Sequence, residues 1–178
     1  MIEALKKHSV IPDVIGPSEP KHLLKVSYGG TELSPGDTLT PTFVQNSPSL
    51  SWPSNQDTLY TMMIIDPDAP SRSNPKNAPW LHWLVVNIKG SDISTGNTVA
   101  FYVGSAPPEG SGLHRYIYLV YEQSKLIEGL DPLKIDQRPR WNYKGFLDAH
   151  QLKQLVACNL HLSEYDDYVP IAYEKLRS

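Results

Sequence analysis

A mainly β fold is what this chain predicts, on three observations. Two apolar runs, Leu59–Ile65 and Leu81–Ile88, are near-continuous, the pattern of strands buried on both faces of a sheet. A third run, Leu113–Glu122 (LHRYIYLVYE), is aromatic and β-branched throughout. Sixteen prolines in 178 residues are nearly double the usual share of about 5%. They fall between apolar runs, where proline punctuates strands and stiffens loops.

Taken in order, Ile2–Ser9 reads as a short amphipathic helix with Ile2, Leu5 and Val10 toward the body, and Ile11–Pro20 as a Pro/Gly-broken surface crossing. His22–Tyr28 alternates and reads as a strand, turned by Gly29-Gly30. Leu39–Val44 and Ser49–Trp52 are shorter strand candidates. Thr58–Asp66 and Trp80–Ile88 are the central pair. Lys89–Asn97 is a loop, Thr98–Val103 a strand, and Gly104–Gly112 (GSAPPEGSG) a second glycine–proline loop. Leu126–Tyr143 is irregular, broken at Asp131-Pro132 and Arg138-Pro139. Ala149, Leu152 and Val156 at helical spacing predict a helix over Phe146–Ala157. Asn159–Tyr165 reads as a short strand, and Asp167–Leu176 as a helix with Pro170 in its first turn. There are no repeats and no linker, so one domain over residues 1–178 is expected.

Sixteen basic against nineteen acidic residues give a net charge of −3. That balance argues against a nucleic-acid partner and leaves peripheral membrane contact at most. The lone Cys158 excludes an internal disulfide framework and a multi-thiolate metal site. With no signal-like N-terminal segment and no apolar run near ~18 residues, a cytoplasmic monomer is the expectation.

Asp66, Asp68 and His82 are the anomaly, because polar groups beside a sheet interior need a partner, a ligand or solvent, and all three are expected to line a small anion-binding cavity. Alternation puts Tyr60, Met62, Ile64 and Asp66 on one face of the first central strand, and Trp80, His82, Leu84 and Val86 on one face of the second. In the third, His114, Tyr116, Tyr118 and Val120 share a face and Arg115 points opposite. If those strand ends meet, Asp66, Trp80, His82, His114 and Tyr116 surround one small cavity suited to an anion. Alone, each residue has a plainer role: the aspartates as turn formers, the histidines and aromatics as core. Their coincidence at loop–strand junctions is what carries the site.

Other chemical signatures are absent. Glu109 stands two residues before Ser111, so a Gly-x-Ser-x-Gly elbow fails. Gly110–Arg115 is no dinucleotide fingerprint, and there is no phosphate-binding P-loop. Two His and two Asp suit zinc or iron by ligand type, but Trp80 and Tyr116 would crowd such a site, so neither metal nor cofactor is expected.

The chain resembles the phosphatidylethanolamine-binding protein family, which includes the Raf kinase inhibitor proteins and the plant flowering-time regulators. The resemblance rests on Asp66-Pro67-Asp68-Ala69-Pro70-Ser71-Arg72, on Trp80-Leu81-His82-Trp83-Leu84-Val85-Val86-Asn87 and on Gly112-Leu113-His114-Arg115-Tyr116. Tyr118–Gln123 (YLVYEQ) and Asp166–Pro170 (DDYVP) extend it. It implies a Greek-key-type sandwich of two antiparallel sheets, with a C-terminal helical segment near a pocket mouth. The implied pocket takes phosphate-type anions and phospholipid head groups through Asp66, Pro70, Trp80, His82, Pro108, His114 and Tyr116, with Tyr173 closing the mouth. It also implies a non-enzymatic binding protein that regulates kinases or other signalling proteins, some relatives inhibiting serine proteases. Cis peptides are expected at one or both of Ala69-Pro70 and Ala78-Pro79. Ala106, Leu81, Trp83, Asn77 and Pro79 depart from common family residues.

On this reading charged His82 and His114 each donate from both nitrogens, Tyr116 adds a neutral donor, and Asp66 orients a histidine. Trp80 supplies an apolar wall that could face a cation. No fixed positive charge is assigned to the site. Binding of phosphate monoesters is then expected to strengthen below the histidine pKa. The rivals are a serine-protease inhibitor and a hydrolase using His82 or His114 as base, the latter lacking an evident nucleophile.

Overall fold

The structure, a computed structural model, describes residues 1–178. Five short strands come first: β1 (His22–Leu23), β2 (Lys25–Tyr28), β3 (Thr31–Glu32), β4 (Asp37–Thr38) and β5 (Ser49–Ser51). The longer β6 (Leu59–Asp66), β7 (Trp80–Lys89), β9 (His114–Gln123) and β10 (Leu155–Ser163) form the centre, with β8 (Asn97–Ala100) beside β7. The helices are α1 (Ile2–Lys7), α2 (Tyr143–Ala149) and α3 (Val169–Arg177).

One sheet runs β1-β10-β9-β6-β7-β8, with β4 also paired to β10; β3-β2-β5 make a second sheet of three strands. Pairing among β6 to β10 is antiparallel throughout, and only the two-residue β1 and β4 run parallel to β10. The expected mainly β fold of two sheets with a C-terminal helix is therefore present.

Alternation divides the large sheet between two cores. Tyr60, Met62, Ile64, Tyr118 and Val120 pack with Leu24, Val26 and Trp52. Met63, Ile65, Ile117, Leu119 and Tyr121 pack on the other face with Leu5, Tyr143 and Leu152. Each fully buried aliphatic of this kind contributes ~1.5–3 kcal/mol. His114 and Tyr116 continue the face of Tyr118 and Val120, so β9 delivers them toward the side that carries the three-stranded sheet.

On β7 the simple alternation fails. Ile64 faces Trp83 while Ile65 faces Leu81, so His82 is an extra residue opposite β6. Such a bulge re-aims side chains: Trp83 and Val85 enter one core, and Leu81, Leu84 and Val86 the other. The expected common face for Trp80, His82, Leu84 and Val86 is thus broken after His82. A second irregularity surrounds Asn87, whose φ is +60°.

Three element assignments change. The strand expected over His22–Tyr28 divides at Leu24 into β1 of the large sheet and β2 of the small one. The helix expected over Phe146–Ala157 ends at Ala149, Gln151 takes a φ of +54°, and Leu155 already pairs with Tyr121. Long-range pairing with β9 overrides the local helical spacing. Leu39–Val44 is not a strand: Val44 donates its N–H to Thr40, closing a turn, and only Asp37–Thr38 pairs with β10. Ala69-Pro70 and Ala78-Pro79 are both cis, and Ile11-Pro12 adds a third cis bond not anticipated.

Candidate functional site

The end of β6, the starts of β7 and β9, the loops leading into those two strands, and α3 surround a cavity of about 180 Å³. Asp66, Pro70, Trp80, His82, Pro108, His114, Tyr116 and Tyr173 all lie on its wall. Ala106 and Asn77, two of the departures from common family residues, also line it, whereas Leu81 and Trp83 are core residues. The volume falls below the ~300–1,000 Å³ of drug-sized sites. It suits a head group, not a whole lipid.

Asp68 is not on that wall. It meets Arg115 through two short contacts, Oδ1 to Nη2 at 2.7 Å and Oδ2 to Nε at 2.9 Å. Arg115 does point away from His114 and Tyr116, as alternation requires, and also donates to the carbonyls of His8 and Ser9. The pair therefore anchors the N-terminal segment, which corrects the expectation that Asp68 belongs to the cavity.

His114 Nδ1 lies 2.8 Å from Asp66 Oδ2, and both residues are buried. On its other side, Nε2 lies 2.9 Å from Ser111 Oγ. This Ser–His–Asp sequence of contacts supplies the nucleophile that the hydrolase reading lacked. Ser111 has one proton, however, and its Oγ is 2.7 Å from the Pro108 carbonyl, which can only accept. Ser111 thus donates to Pro108, and His114 Nε2–H donates to Ser111. A second proton is shared at the Asp66 contact. The Asp66–His114 pair accordingly carries no net charge, whichever partner holds that proton. Burial pushes the Asp66 carboxyl up, with His114 and the Asp68 N–H opposing.

His82 Nδ1 donates to the Val103 carbonyl at 2.8 Å. Burial drives its pKa down to about 3, with the charges of Arg138 and His114 also lowering it. His82 is therefore a neutral imidazole with Nε2 left as an acceptor. The expectation of two imidazoles each offering two free charged N–H groups does not hold, because internal partners already occupy three of the four nitrogens. Burial raises the Tyr116 phenol well above its ordinary range and raises that of Tyr173, so both stay neutral donors. Tyr173 donates to Ala106 O at 2.7 Å and thereby ties α3 to the Pro-rich loop. The Trp80 ring packs on His82 at 4.6 Å, and His82 meets Tyr116 edge-on at 5.0 Å.

Two neighbours escaped the sequence reading. Arg138 is fully buried and has no carboxylate partner; its Nη1 donates to the carbonyls of Leu81 and Phe101. Its guanidinium lies 4.6 Å from the Phe101 ring centre and 5.8 Å from that of Trp80, so a cation does stand behind the Trp80 wall. Burial lowers its pKa to about 10. It sits in a stretch without periodicity, where nothing local marks it. The second is His161 on β10, opposite Tyr116, with its ring stacked on Tyr116 at 5.0 Å. Assigning Phe146–Ala157 as a helix hid the register that brings it there.

Comparison with known proteins gives the chain a family. The phosphatidylethanolamine-binding protein family model matches residues 20–161. A candidate odorant-binding protein A5 of Drosophila melanogaster is 37% identical over 172 residues, 93% of this chain and 81% of that one. Among solved structures, a carboxypeptidase Y inhibitor complexed with its cognate proteinase superposes with a TM-score of 0.80 at 29% identity, covering 93% of this chain and 95% of its own. The protein in the CG7054 solution structure gives 0.77 at 40% identity, with 94% and 97% covered. With a family model matching residues 20–161 and a relative 37% identical over 93% of its length, the chain belongs to the phosphatidylethanolamine-binding protein family.

Proposed function

We propose that this protein binds phosphate-bearing small molecules and phospholipid head groups in the cavity and, through that binding, regulates signalling proteins such as kinases, without catalysis. The cytoplasm and a monomeric state are part of the same reading. The observation that carries it is the enclosed small cavity, where a charge-neutral Asp66–His114 pair and the Tyr116 hydroxyl stand opposite a neutral imidazole acceptor. That set matches a ligand that both accepts and donates. A phosphate monoanion accepts from the Tyr116 hydroxyl and donates its own P–OH to His82 Nε2, the one imidazole nitrogen without an internal partner. An ethanolamine ammonium adds further donors against the Trp80 face.

This reading makes the ligand, not His82, the titrating partner. Phosphate monoesters lose their second proton near pH ~6. Affinity for phosphorylethanolamine is expected to fall as pH rises through that value, by up to about tenfold per unit. Glycerophosphorylethanolamine, a diester with no such proton, is expected to bind equally between pH 5 and 8. Calorimetric titration of both ligands decides; parallel pH curves would contradict it. His114→Ala is expected to weaken phosphorylethanolamine about tenfold or more, since it leaves the buried Asp66 carboxyl on the cavity wall unpaired. An unchanged constant would remove His114 from the binding role.

A second reading is favoured by the carboxypeptidase Y inhibitor, whose structure is that of a complex with a proteinase. On that reading this chain inhibits serine proteases, and a direct carboxypeptidase assay separates it from head-group binding.

A further inference from the structure

We propose that His161, which does not itself line the cavity, is a positioning residue for it, acting as a neutral imidazole protonated on Nδ1 that holds Ser105 through Nε2. The proton positions follow from one carbonyl. Tyr102 Oη lies 2.6 Å from the Val44 carbonyl, which can only accept, so Tyr102 donates there. Its proton is then spent, and Tyr28, 2.9 Å away, donates to Tyr102. By the same count Tyr118 donates to Tyr28 at 2.8 Å. Tyr118 Oη is 2.8 Å from His161 Nδ1 and has no proton left, so Nδ1–H donates to Tyr118. In a neutral ring Nε2 is then an acceptor, and Ser105 Oγ donates to it at 2.8 Å. Burial holds all three phenols well above their ordinary range and lowers the His161 pKa to about 3, so every member of the relay is neutral.

Ser105 lies between the two carbonyls that orient cavity side chains. Val103 O accepts from His82 Nδ1, and Ala106 O accepts from the Tyr173 hydroxyl. Between them, Gly104 lies so close to the Val44 backbone that a Cβ there would be 2.6 Å from its carbonyl oxygen. The segment 103–106 is thus clamped at Gly104 and at Ser105, and His161 is the second clamp. Its ring also backs Tyr116, stacked at 5.0 Å with 12° between planes. His161 therefore sets His82, Tyr116 and Tyr173 from behind.

This inference rests on the head-group reading only for its affinity test. Nitrogen-15 NMR of the imidazoles in the full-length protein is expected to show His161 protonated on Nδ1 and bare on Nε2 from pH 5 to 8; the opposite tautomer overturns the relay. His161→Gln places an amide oxygen near the former Nε2 and keeps the Ser105 bond. His161→Asn keeps a donor toward Tyr118 but cannot reach Ser105. Phosphorylethanolamine affinity is expected to stay within about threefold for Gln and to fall about tenfold for Asn and for Phe. Equal losses for Gln and Asn, in folded proteins, would make His161 a packing residue only. If the unsubstituted protein does not bind phosphorylethanolamine at all, the head-group reading fails. The His82 Nδ1 proton then reports positioning: it should remain protected from exchange in His161→Gln and be lost in His161→Asn, and equal protection in both overturns the proposal.

Discussion

Asp68→Ala is expected to destabilise the fold by ~3–5 kcal/mol, the usual cost of removing one partner from a buried ion pair. Arg115 is 6% exposed and Asp68 1%, so the guanidinium left behind cannot recover its hydration. The loss is compounded because Asp68 Oδ2 also accepts the Arg115 backbone N–H at 2.9 Å. For a chain of this length, each kcal/mol lowers Tm by ~2–4 °C, giving a drop of ~6–20 °C. Asp68→Ala/Arg115→Met should recover part of it, because no uncompensated charge then remains. Thermal and urea unfolding of the three proteins tests this. A loss below ~1 kcal/mol for the single variant would show that the pair does not hold the N-terminal segment.

Acid is expected to be nearly as damaging. His82 and His161 are buried with pKa values of about 3, whereas in the unfolded chain each titrates near ~6.5. A histidine whose folded pKa is depressed contributes stability that is complete above the unfolded value. That stability is lost as pH falls toward the folded one. Each therefore adds a slope of about 1.4 kcal/mol per pH unit between those limits, or on the order of 5 kcal/mol for the two between pH 6 and 4. Against a typical total of ~5–15 kcal/mol, that is about a third or more of the stability, so a steep loss by pH 4 is expected. Urea titrations at pH 7, 6, 5 and 4 measure the slope, and His161→Gln should reduce it by about one proton. A stability that is flat from pH 6.5 to 4 would show that these imidazoles are not buried neutral.

Both expectations depend on residues whose surroundings are formed by distant segments. Asp68 follows Asp66 by two positions in the same Pro-rich turn, yet one faces the cavity and the other a guanidinium on the opposite face of β9. No property of the turn distinguishes them. The distinction comes from β9, whose alternation sends His114 to one side and Arg115 to the other.

What the amino-acid order determined unaided was whatever depends on near neighbours. Runs of apolar residues identify β6, β7 and β9, prolines locate the loops, and the alternation of His114, Arg115 and Tyr116 is a property of any extended chain. Those signals, with the family motifs, were enough to name the eight residues now found around one cavity. Tertiary structure alone decided the rest. The bulge at His82 exists because β6 and β7 must keep both cores filled, and β10 replaces half of an expected helix because β9 offers it a partner. The direction of the tyrosine relay is set by the Val44 carbonyl, 117 positions before His161 (161 − 44 = 117). Protonation of a buried imidazole depends on which donors and acceptors surround it, and here they come from segments that meet only when the sheets close.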